Sequence, residues 1–98
     1  MALLSDAQIE QRLQGSAWRR EEETIVRDLQ LADFAAAIAL VDRVAAAAEE
    51  ANHHPDMLVH GWNKLRLTLS THSEGGLTAA DFDLASTLDE LREDPSES

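Results

Sequence analysis

The spacing of apolar residues along this chain switches repeatedly between the period of a helix and that of a strand. Leu4-Ser5-Asp6-Ala7-Gln8-Ile9 is a helix start: Ser5 caps the first turn, Gln8 returns the reciprocal bond, and Leu4 staples onto Ile9. This helix is predicted to end near Gly15. Trp18 to Arg20 and Thr24 to Leu31 then suit strands, the second carrying Ile25, Leu29 and Leu31 on one face with Arg27 between. The acidic run Glu21, Glu22 and Glu23 falls between them as a hairpin turn. Consecutive side chains in a turn diverge, so the run is a solvated loop and not a metal site.

Asp33 is placed to cap a long helix running to about Ala51, apolar nearly all round except at Asp42 and Arg43. Phe34, Ile38, Val41 and Ala48 are assigned to the sheet, while Ala37, Leu40, Val44 and Ala47 form a second apolar stripe. In a monomer that stripe would stay wet. It is therefore predicted to pack against a second subunit, its alanines permitting close helix approach; a monomer with a wide helix contact is the alternative.

Pro55 stops this helix, and a strand follows from about Met57 to His60. Leu65, Leu67 and Leu69 alternate with Lys64, Arg66, Thr68 and Ser70, the clearest half-buried strand in the chain. Beyond a loop at Gly75-Gly76, a last helix begins with Thr78 as cap, Asp81 at the capping-box position and Leu77 and Phe82 as staple, with Leu84, Leu88 and Leu91 facing inward. The predicted order is α-β-β-α-β-β-α: an α+β domain with a four-stranded antiparallel sheet and helices packed on one face.

With 98 residues there is room for one core, predicted over 1–92, and residues 93–98 have the composition of an acidic, disordered tail. Eight Lys and Arg against 19 Asp and Glu leave a net charge of −11, which repels nucleic-acid phosphates and anionic membranes. The absence of cysteine excludes disulfides, thiolate nucleophiles and cysteine-ligated metals. Neither a signal peptide at Met1 to Leu4 nor a span of roughly 20 apolar residues is evident, so a cytoplasmic protein is expected. No Gly-rich phosphate loop and no nucleophile elbow occur.

The candidate chemistry lies in the histidines. His53, His54 and His60 fall within eight residues around Pro55, and His72 ends the polar face of the best strand. Histidine titrates near pH 6.5 when unperturbed, so such groups exchange protons at neutral pH. Three readings stand at this point. The His-His-Pro run is a polar helix terminus, or an acid/base site, or a metal site with His53, His54, His60 and His72 as ligands. The last lacks any i, i+4 or His-x-His pair.

The run Glu49-Glu50-Ala51-Asn52-His53-His54-Pro55, then six residues to Trp62, nine to His72 and eight to Asp81, resembles the signature of the pterin-4a-carbinolamine dehydratases. Asn63 to His72 and Gly76-Leu77-Thr78 match as well, and the segment from Ile25 to Phe34 is similar. The resemblance implies a cofactor-free and metal-free lyase of tetrahydrobiopterin regeneration, which eliminates water from 4a-hydroxytetrahydropterin to give quinonoid dihydropterin by histidine acid/base catalysis. It implies His53, His54, His72 and Asp81 as catalytic groups. The pterin-binding edge would be Asn52, His53, His54, Ser70, Thr71, His72 and Ser73. A homodimer or homotetramer is implied, with an aromatic amino-acid hydroxylase as pathway partner.

Each assignment has an alternative. Asp81 also suits a purely capping role, Trp62 reads more readily as core than as a substrate platform, and His60 has no counterpart in the signature. Glu49 reads as support at the helix end. Asn52 stands where many members carry Asp, and Met57 where many animal members carry an aromatic. Because animal members also serve as a dimerisation cofactor for a homeodomain transcription factor, the competing function is a non-catalytic oligomerisation or interaction module.

Overall fold

A computed structural model describes residues 2–92, so the predicted acidic tail lies outside the described residues. The elements are α1 (Asp6–Leu13), β1 (Arg19–Glu21), β2 (Thr24–Gln30), α2 (Phe34–Ala51), β3 (Asp56–His60), β4 (Lys64–Leu69) and α3 (Ala79–Arg92). The predicted order is the observed one.

The start of α1 forms as its sequence requires. Gln8 N–H donates to Ser5 Oγ at 3.2 Å, and Ser5 N–H donates to Gln8 Oε1 at 2.8 Å. The Glu21-Glu22-Glu23 run does turn the chain, with Glu22 at φ 54° and the Thr24 hydroxyl donating to Glu21 O. Trp18 lies just ahead of β1, where it is buried.

The four strands form one antiparallel sheet in the order β1-β2-β4-β3. β4 is central and pairs with β2 through Leu29↔Leu65 and Arg27↔Leu67, and with β3 through Met57↔Leu67. On its inner face Leu65, Leu67 and Leu69 join Ile25, Leu29 and the helices in a single core. Arg27 shares that face without being stranded, because its guanidinium pairs with Asp89 of α3, which also accepts from Trp18 Nε1 at 2.9 Å. The outer face carries an ion ladder: Asp28 accepts from Arg66 Nε and from Arg19 Nη1, each at 2.8 Å. These two hydrogen bonds, Arg66 first, hold the Asp28 carboxyl below the usual aspartate range.

Two expectations are overturned. Ala37, Leu40 and Val44 are the core face of α2 and Ala47 packs against that core, so the stripe assigned to a second subunit lies inside this one. Phe34 and Ile38, assigned to the sheet, are instead 54% and 37% exposed; Val41 is half-buried and Ala48 buried. At roughly 100° per residue, Phe34 and Ile38 point about 80–120° away from Val44. The reason is that α2 packs on α3 as well as on the sheet, and small residues face both. Trp62 is the second correction. It sits in the β3–β4 turn at φ 58°, 63% exposed, and is not core.

Candidate active site

The His-His-Pro segment is aimed by the way α2 ends. Asn52 takes the left-handed conformation, at φ 51° and ψ 41°, its N–H donating to Glu49 O while His53 N–H donates to Ala48 O. This pair of bonds closes the helix and reverses the chain, and Asn is the best non-glycine residue for the position. An exposed Asn52 therefore has a backbone role that Asp would fill less easily. Beyond the turn, β3 starts with Asp56 paired to Thr68 of β4. Antiparallel pairing thus carries the segment 52–55 and the segment 70–73 to the same end of the sheet.

At that end, His53 Nε2 lies 2.6 Å from Asp81 Oδ1. Asp81 is fully buried, while the His53 side chain keeps 16% of its surface exposed. The other carboxylate oxygen accepts from the Thr71 hydroxyl at 2.8 Å and from Thr78 N–H at 2.9 Å. Asp81 thus closes the first turn of α3 and contacts His53 at once. Three residues, His53, Thr71 and Thr78, meet on one carboxylate.

His54 pairs through Nε2 with Glu49, five residues back in the last turn of α2, on an exposed surface. His72 and Ser73 are exposed in a 3-10 turn, His72–Glu74, so His72 does not end β4 but is the third residue beyond its last, Leu69. No hydrogen bond among the described residues links His72 to His53 or His54. Ser70 Oγ donates to Glu23 O at 2.9 Å, which turns it toward the β1–β2 hairpin. His60 lies on the outer sheet face, beside a hollow of about 320 Å³ that Asp28, Lys64 and Arg66 also line. It is separate from the other three.

His53 opens onto a groove of about 250 Å³ between the end of α2 and the start of α3, lined by Ala51, His53, Ala80, Asp83, Leu84 and Thr87. A second groove of about 230 Å³ shares Ala51, Leu84 and Thr87 with it. Among the described residues no three His, Asp or Glu side chains converge in a way that would hold a metal ion. For two groups at the site the sequence showed a place but not the partner. Thr78 was legible only as a cap, though a Thr-x-x-Asp start preceded by a threonine seven residues earlier is the pattern that joins it to Thr71. Glu49 shows its partner only once the helix end is folded.

Residues 2–91 match the family model described as pterin 4 alpha carbinolamine dehydratase. A protein of Nocardia farcinica named as a candidate pterin-4-alpha-carbinolamine dehydratase is 56% identical over 90 residues, 91% of this chain and 94% of its own length. One of Roseiflexus castenholzii with the same name is 50% identical, covering 92% of this chain and 97% of its own. The crystal structure of a transcriptional coactivator/pterin dehydratase from Brucella melitensis superposes with a TM-score of 0.85 at 28% identity, over 92% of this chain and 98% of that one. With a family model spanning nearly every described residue and relatives matched along almost their whole length, the chain belongs to the pterin 4 alpha carbinolamine dehydratase family.

Proposed function

We propose that the protein removes water from a 4a-hydroxytetrahydropterin to give the quinonoid dihydropterin, in the regeneration of tetrahydrobiopterin. The observation that carries this reading is His53 seated against the buried carboxylate of Asp81 while it lines an open groove. A carboxylate behind an imidazole orients the ring and stabilises the imidazolium that forms when it takes a proton, which is what a general base needs. His53 takes the N5 proton; the N5 electron pair forms the double bond to C4a; the C4a–O bond breaks and the hydroxyl leaves with a proton from an acid. His54 and His72, exposed at the same end of the sheet, are the groups available to supply it. Substrate and product differ by one water, so no electron changes hands and the reading assigns no step to a metal or redox cofactor. Asn52, Ser70 and Ser73, with only the backbone of Thr71, are proposed to form the substrate edge through this same end of the sheet, since the Thr71 hydroxyl is turned to Asp81.

A stopped-flow measurement of 4a-hydroxytetrahydropterin dehydration, with and without the protein, tests the reading. Acceleration that survives prolonged chelator treatment is expected. No acceleration, or activity restored only by added zinc, refutes it.

A second reading, association, is favoured by the exposed Phe34 and Ile38 on the outer flank of α2 and by Leu58 and Trp62. It supports a homodimer or homotetramer through that flank, in place of the Ala37–Ala47 stripe. Light scattering decides it: a mass near that of one 10.8 kDa chain rules association out.

A further inference from the structure

The hydrogen bonds around Asp81 have only one consistent direction, and that direction reaches His53. Ala80 N–H lies 3.3 Å from Thr78 Oγ1, and an N–H can only donate. Thr71 Oγ1 lies 2.8 Å from Thr78 Oγ1 and 2.8 Å from Asp81 Oδ2. A carboxylate oxygen can only accept, so the single proton of Thr71 goes to Asp81. The single proton of Thr78 then goes to Thr71. Each hydroxyl accepts one bond and donates one, from the backbone of α3 to the carboxylate.

With Thr78 N–H added at 2.9 Å, Oδ2 holds two donors and the carboxylate cannot turn. Oδ1 is thereby fixed 2.6 Å from His53 Nε2, again as an acceptor. Nε2 must carry the proton, and in the neutral ring Nδ1 must be bare.

We infer that Thr71 and Thr78 are positioning residues: their hydroxyl chain locks the Asp81 carboxylate, which holds neutral His53 as the Nε2–H tautomer and leaves Nδ1 as the proton-accepting nitrogen presented to substrate. Thr71 thereby gains a role different from the substrate contact that the family resemblance implies, since its one hydroxyl proton is committed. Thr78 gains one beyond its cap. The consequence for rate rests on the dehydratase reading above; the tautomer does not.

Nitrogen NMR of the His53 ring tests the tautomer without any substrate. In the natural protein the neutral ring is expected to show a protonated Nε2 and a bare Nδ1. A neutral ring protonated at Nδ1 overturns the inference, whatever the activity. Thr71→Val and Thr78→Val remove the chain without changing side-chain shape much. Each is expected to let the Nδ1–H tautomer appear and to lower kcat roughly three- to tenfold, the scale of one hydrogen bond, with KM unchanged. Thr71→Ser and Thr78→Ser should restore both. A Thr71→Val protein with raised KM and unchanged kcat would mean that Thr71 touches substrate. Valine variants that melt earlier yet keep tautomer and kcat would leave only the cap; either result overturns the inference. Should the valine variants fail to fold, the tautomer of the natural protein still decides. If the natural protein shows the Nε2–H tautomer yet no dehydration, the function reading fails and the locking of His53 stands.

Discussion

Replacing Asp81 by Asn separates its structural from its chemical work. Oδ2 faces two donors, Thr71 O–H and Thr78 N–H, and Oδ1 faces one, His53 Nε2. Asn has one acceptor oxygen, and placing it at the Oδ2 position keeps two bonds while the reverse placement keeps one. The amide NH₂ then faces His53, so Nε2 must accept and the ring proton moves to Nδ1, the nitrogen assigned to substrate. Two hydrogen bonds weaken from charge-assisted to neutral, and the site is fully buried, so water does not compensate. A loss of about 1–2 kcal/mol follows, with a fall in melting temperature of about 5–15 °C for a domain this size. Domains hold about 5–15 kcal/mol in all, so the variant folds. Removing a correctly protonated base should cost turnover about 10²- to 10⁴-fold. Thermal denaturation followed by circular dichroism and stopped-flow dehydration measure the two effects. An Asp81→Asn protein that melts earlier but turns over at the natural rate would show Asp81 to be a helix cap and nothing more.

Three further outcomes are expected. His53→Ala, and with it His54→Ala or His72→Ala, should lower dehydration about 10²- to 10⁴-fold in stopped flow with the far-ultraviolet spectrum kept, whereas His60→Ala, on the opposite sheet face, should do little. Leu40→Glu puts an unpaired carboxylate into the core and should unfold the chain at a cost above about 4 kcal/mol, while Ile38→Glu should leave melting nearly unchanged and, if copies associate through that flank, reduce the mass seen in light scattering to one chain. Because the folded Asp28 carboxyl lies below its unfolded value near pH 4, its ion ladder stabilises the fold above that value and is lost as pH falls through the folded one; Asp28→Asn should flatten the acid side of a stability-against-pH curve and leave neutral dehydration unchanged.

Local chemistry made several elements readable before folding. Ser5 with Gln8 and Thr78 with Asp81 each contain both partners of their interaction within a few residues, and the Leu65-Leu67-Leu69 alternation carries the strand's period of two, so the local pattern determines the element. The family motif likewise marked His53 and Asp81 for one site.

Faces and partners were a different matter. In α2 two stripes are both apolar, and only the packing of the helix against the sheet and α3 together decided that Leu40 goes in and Phe34 out. Trp62 left the core because the chain must reverse between β3 and β4, and the turn placed it at positive φ in solvent. The convergence of Thr71, Thr78 and His53 on Asp81 needed the antiparallel pairing of β3 with β4 and the left-handed close of α2 at Asn52. Sequence periodicity records which residues share an element's face; the direction that face points depends on long-range contacts that no single segment contains.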